Sequence, residues 1–200
     1  MVDFRSGTSI GTRIKMARRQ RGYRTTRELA DAVEGGKVTS AILENIESGR
    51  KADISVSQLL NIARALNVPP SFLLAPMATP ELELDLPNLS ADFQGMTAAE
   101  FDCWLSATPA SFYRPRLAAE RTDINLLGTL RELGVLQREF ERLQIVLQVQ
   151  LSSGSPELVS GTDEIRSRIH QTTEEAQRLV TLLTSAGVSG VNIESADRTD

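Results

Sequence analysis

The chain has 200 residues, 40% hydrophobic and 24% charged, with a net charge of −4, which allows one or two domains with a buried core. A single cysteine (Cys103) and a single histidine (His170) exclude a disulfide framework and a Cys/His zinc cluster. No run of about 18 apolar residues reads as a membrane span, no apolar signal core opens the chain, and the expected compartment is reducing and cytoplasmic.

The charge is unevenly divided. Residues 1–70 hold twelve Lys/Arg against seven Asp/Glu, a net +5, and residues 71–200 hold ten against nineteen, a net −9. All three lysines, Lys15, Lys37 and Lys51, lie in the front part. A basic front and an acidic back point to a polyanion met by the front alone.

In chain order, residues 10–75 predict five short helices. Ile10, Ile14 and Ala17 form one stripe of the first helix, with Arg13, Lys15, Arg18 and Arg19 around it, and Gly22 stops it. Thr25 or Thr26 caps the second, whose apolar face is Leu29, Ala30 and Val33. Glu34-Gly-Gly-Lys37 is a turn. Thr39 or Ser40 opens the third, with Ala41, Ile42, Leu43 and Ile46 inward, and Gly49 ends it. Ser55 caps the fourth, apolar at Leu59, Leu60, Ile62, Ala63 and Leu66, and Pro69-Pro70 starts a fifth with Phe72, Leu73 and Leu74.

Residues 76–96 carry Pro76, Pro80 and Pro87 with alternating acids and read as a linker. Thr97-Ala-Ala-Glu100 is a capping box with Met96 and Phe101 as its staple, opening a short helix. Pro109 and Pro115 break the chain. A long helix follows from about Leu117 to Leu151, with Leu133, Leu136, Phe140, Leu143 and Leu147 stepping by three and four. Past a turn at 152–155, Leu158, Thr162, Ile165, Ile169, Thr172, Ala176, Leu179, Leu183 and Ala186 repeat that spacing, and Gly187 stops the helix. Two heptad-patterned helices joined by a short turn predict an antiparallel hairpin. The domain reading is 1–75, linker 76–96, helical domain 97–188, and a loose tail 189–200.

A second and third helix joined by a tight turn is the helix-turn-helix arrangement, in which one helix crosses the phosphate backbone and the next enters the major groove. Four segments carry a closer likeness: Ile10-Gly-Thr-Arg-Ile-Lys15, Glu28-Leu-Ala-Asp-Ala-Val33, Ile42-Leu-Glu-Asn-Ile-Glu-Ser-Gly-Arg-Lys51 and Leu59-Leu-Asn-Ile-Ala-Arg-Ala-Leu-Asn-Val68. With them residues 10–75 resemble the phage-repressor (Cro/CI, xenobiotic-response-element) helix-turn-helix family. The resemblance implies an all-α fold: a five-helix lambda-repressor-like DNA-binding domain, then the linker and a helical C-terminal region with the long hairpin.

It also implies roles. Thr39, Ser40, Ala41, Glu44 and Asn45 correspond to the base-reading surface, where Asn45 can pair with adenine and Ala41 can touch a thymine methyl. Thr26, Lys37, Arg50 and Lys51 correspond to phosphate contacts. Arg18 and Glu47 correspond to an internal ion pair. The turn Glu34–Val38 is longer than the family's usual one, one extra residue lies between Gly22 and Leu29, and Ala41 and Glu44 stand where long polar donors are common.

The back part holds no catalytic constellation. No lysine follows Lys51, which excludes the Ser-Lys self-cleaving domain that many phage-type repressors carry. Cys103 reads as a packing residue and His170 as a surface one. No cofactor and no metal is expected, and the chain reads as a non-enzyme. The hairpin residues Leu133, Leu136, Phe140, Leu143, Leu147, Ile165, Ile169, Leu179 and Leu183 are assigned to homodimerisation, two hairpins forming a four-helix bundle. The competing reading folds the hairpin back on residues 97–115 as a monomeric domain. The function expected is a sequence-specific regulator on double-stranded DNA, a repressor by promoter occlusion; the alternative is a protein-interaction module, such as an antitoxin or adaptor, on the same scaffold.

Overall fold

The computed structural model describes residues 3–108, 113–153 and 156–193. It is helical, with no strand among these residues, and divides into two compact units, Met1–Arg114 and Pro115–Asp200. The turn expected at 152–155 and the tail beyond 193 fall partly outside the described residues, as does Pro109.

The first unit begins with a 3-10 turn, Phe4–Ser6, and continues through α1 (Ile10–Gln20), α2 (Thr26–Ala32), α3 (Ser40–Glu47), α4 (Val56–Leu66) and α5 (Pro70–Leu74). Hydroxyl residues set the starts: the side chains of Ser9, Thr25, Thr39 and Ser55 each accept from a backbone N–H in the first turn. Ser55 and Gln58 complete a reciprocal capping box. Asn67, in the left-handed region at φ 52°, ends α4. The core is Phe4, Ile10, Ile14, Ala17, Leu29, Val33, Val38, Leu43, Ile46, Ile62, Ala63, Leu66, Val68 and Leu73. Two residues expected inside are outside: Ala41 is exposed on α3, and Leu60 on α4 is 49% exposed. The helical period that turns Leu43 and Ile46 inward leaves Ala41, two residues before Leu43, on the outer face.

Residues 76–96 do not form a free linker. They belong to the first unit, as does α6 (Ala98–Ser106), which the sequence pattern assigns to the C-terminal domain. Leu86 packs against the main core. Leu84, Leu86, Phe93 and Met96 surround a second cluster of Ala75, Ala98 and Phe101. An antiparallel bridge between Glu83 and Thr97 and a 3-10 turn at Ala91–Phe93 fold the segment on itself. The Thr97/Glu100 capping box opens α6. Cys103 on that helix is buried, and burial pushes its thiol pKa up.

The physical reason for this docking is Arg13. Its side chain is fully buried, and all five guanidinium hydrogens are used. Nε donates to the Leu73 carbonyl at 2.8 Å; Nη1 to Gly7 O at 2.8 Å and Asp85 Oδ2 at 2.7 Å; Nη2 to Leu74 O at 2.9 Å and Asp85 Oδ1 at 2.8 Å. A buried guanidinium needs a carboxylate, and Asp85, one of the acids that suggested a solvated spacer, supplies it.

The second unit is a pair of helices, α7 (Ala118–Ser153) and α8 (Pro156–Ser185), packed against each other. Leu133, Ala176, Leu179 and Leu183 form its buried cluster, with Leu126, Leu130, Leu136 and Val180 around them. Leu143 is buried, and Leu136, Phe140, Leu147, Ile165 and Ile169 are half-buried. Of the seam assigned to pairing two copies, Leu133, Leu143, Leu179 and Leu183 are buried within one chain, and the other five residues keep part of their surface exposed. The part of the tail that is described is not loose either: Val191 and Ile193 pack on the cluster, and Gln137 Nε2 donates to Asn192 O at 2.9 Å. Arg168 of α8 reaches Glu139 of α7 at 2.9 Å, where Glu139 also meets Arg142; hydrogen bonding from Arg142 lowers the Glu139 pKa.

Candidate nucleic-acid interface

The site is built on α3 and on what holds it. Gly11 of α1 lies against the backbone of α3. A Cβ at Gly11 would run into the Ile46 carbonyl oxygen, so only glycine permits this approach. A second tie is a buried fork: Arg18 Nε donates to Glu47 Oε1 at 2.6 Å and Nη2 to Glu47 Oε2 at 2.9 Å. Arg18 Nη1 donates to the carbonyls of Tyr23 and Arg24 at 2.9 and 2.8 Å, which fixes the turn into α2. Both side chains are under a tenth exposed, and the bond to Glu47 raises the pKa of Arg18. The inner face of α3 is thus locked by packing on one side and by charge on the other.

The connection from α2 to α3 runs through Gly35 and Gly36, both at positive φ (84° and 62°), a backbone that suits glycine. Val38, at 1% exposure, pins the end of this loop into the core, and Lys37 beside it is exposed.

The outer face of α3 presents Thr39, Ala41 and Glu44, exposed, with Ser40 and Asn45 half-buried beside them. Thr39 is not fully available, because its hydroxyl accepts from the Ile42 N–H at 3.3 Å as the helix cap. A polar cluster joins the two helix starts. Thr26 Oγ1 and Ser40 Oγ are 2.7 Å apart, and each lies within reach of Glu44 Oε1, at 3.2 and 3.1 Å. Three contacts share two hydroxyl hydrogens, so the arrangement is a relay that ends on the carboxylate. While it holds, Thr26 has no hydroxyl hydrogen left for a phosphate and serves Glu44 instead.

Arg50 is exposed just past α3; Lys51 is half-buried, with Nζ donating to Gln58 Oε1 at 3.0 Å. Of the front-half arginines, Arg13 and Arg18 are spent on internal forks. Arg19, Arg21, Arg24 and Arg27 are exposed. The sequence pattern placed Arg13 in the basic rim. The available signal was its position: three residues after Ile10 and next to Ile14, it falls on the buried stripe.

Comparison with known proteins matches the Helix-turn-helix family model to residues 14–73. That match covers 60 of the 200 residues and is similar in kind to the Cro/CI-type helix-turn-helix pattern of this region. Neither the curated proteins nor the solved structures yield a match to the chain. The matched family is one of DNA-binding regulatory domains. Among the described residues no helix is long and apolar enough to cross a membrane.

Proposed function

We propose that the protein is a sequence-specific transcriptional regulator that represses by occupying its operator on double-stranded DNA. The observation that carries this reading is the split of α3 into a locked inner face and an open outer one. Leu43, Ile46 and Glu47 are held by the core, the Gly11 approach and Arg18, while Ala41, Glu44 and Asn45 face outward. A rigid helix with a free polar face fits the major groove, about 12 Å wide. Lys37 and Arg50, exposed on either side, are the phosphate contacts, with Lys51 joining when it exchanges Gln58 for a phosphate. Asn45 and Glu44 reach base edges, and Ser40, Ala41 and Thr39 line the approach. No catalytic role is assigned, and the place of action is the cytoplasm.

We further propose that two copies act together, giving two reading helices about 34 Å apart. Since the hairpin's inner seam is occupied, pairing uses outward residues of α7: Val135, Ile145 and Val149, which are 56%, 63% and 60% exposed. Apolar groups at such exposure gain from burial against a like surface.

The test is selection of sites from a random duplex pool with the full-length protein at near-physiological salt. A two-fold symmetric consensus supports the paired repressor. A single asymmetric site keeps DNA reading and overturns pairing. No enrichment overturns the regulator and leaves the domain as a protein-interaction scaffold.

A further inference from the structure

The polar relay on the reading face limits what it can recognise. Thr26 and Ser40 have one hydroxyl hydrogen each, and the two are consumed between the hydroxyls and at Glu44 Oε1. The carboxylate has none to give. What this corner of α3 shows to a ligand is therefore acceptors alone: the lone pairs of two hydroxyls, and the second oxygen of Glu44, for which the structure gives no partner. In the major groove the base-edge donors are the amino groups of cytosine (N4) and adenine (N6). Adenine carries N7, an acceptor, beside its amino group, and a carboxylate aimed at N6 meets that lone pair. Cytosine has only C5–H beside N4.

We propose that Glu44 is a specificity-determining residue that selects a C·G base pair through the cytosine N4 amino group, held in place for it by Thr26 and Ser40. The inference rests on the DNA-reading role of α3. The relay fixes one oxygen of a side chain with several free torsions, so less rotamer freedom is lost on contact. The same charge makes wrong bases costly: guanine O6 and thymine O4 both present lone pairs to it. Glu44 thus enforces one position, while Asn45, one residue on, is free to pair with adenine at another.

The test uses the selected site and its single-position variants, measured by competition binding with wild-type protein, Glu44→Gln and Thr26→Val/Ser40→Ala. Wild type is expected to require C·G at one position in each half-site, losing about tenfold in affinity for T·A there, the scale of one good base contact. Glu44→Gln, whose amide has both a donor and an acceptor, is expected to shift preference at that position alone toward adenine. The double hydroxyl variant is expected to keep cytosine as the preferred base with a smaller ratio. Glu44 is exposed and the hydroxyls are at helix starts, and circular dichroism checks that each variant is folded. Base preferences identical in wild type and Glu44→Gln overturn the assignment and leave the regulator standing. Absence of any sequence preference in the wild type overturns both.

Discussion

Removing the Asp85 carboxylate tests the docking of residues 76–106. In Asp85→Ala the Arg13 guanidinium, fully buried, loses two of its five hydrogen bonds and its counter-charge together. Breaking a buried pair from one side typically costs about 3–5 kcal/mol. The Asp85 side chain is 23% exposed, so water can enter the vacated corner and the cost falls to the bottom of that range or just below it, about 2–3 kcal/mol. The only tryptophan, Trp104, lies on α6 with its ring 5.3 Å from Phe93 and 6.0 Å from Phe101. Its fluorescence reports unfolding of the first unit by itself. In urea the midpoint is expected to fall by roughly 1–2 M. A cycle with Arg13→Met isolates the pair from the three carbonyls that Arg13 also satisfies. A coupling energy below about 0.5 kcal/mol would refute the claim that this pair binds the segment to the domain.

Three other outcomes follow from the geometry. Asn45→Ala is expected to lose about 1–3 kcal/mol at one base position, whereas Arg50→Ala weakens all duplexes alike and reduces the salt slope by about one; equal losses on specific and random DNA for Asn45→Ala would remove it from base reading. Ile145→Asp/Val149→Asp is expected to give a monomer in analytical ultracentrifugation with helical content unchanged, and an unaltered sedimentation mass would exclude that face as the pairing surface. Gly11→Ala gains helix propensity of up to about 1 kcal/mol but must push α3 away from its backbone, with a net loss of about 1–3 kcal/mol; a raised melting temperature would show that the approach of α1 to α3 is looser than described.

What the sequence made readable is what local chemistry decides. Hydroxyl residues at 25, 39, 55 and 97 start helices because each satisfies a backbone N–H within three residues, and Ser9 does the same for α1 although no reading of the sequence singled it out. The apolar spacing of Leu29, Leu43, Ile46 and Ile62 likewise leaves little choice of face. Arg13 and Asp85 were not readable as a pair, because 72 residues separate them and each resembles its neighbours: one arginine in a basic run, one acid in an acidic segment. Ala41 lies on the outer face because two residues, about 200° of helix, separate it from Leu43, a phase that the unbroken apolar run Ala41-Ile42-Leu43 hides. The heptads at Leu133–Leu147 and Ile165–Leu183 identify a seam, but periodicity is blind to whether the opposing helix comes from the same chain.

The Arg13 fork also sets where this protein can be cut and recombined. A fragment ending at residue 75, where the helical pattern stops, would keep the three carbonyls around Arg13 but lose its one counter-charge, Asp85. The smallest transplantable reader runs to about residue 108, and a chimaera that joins another effector to this one should splice after α6 rather than after α5.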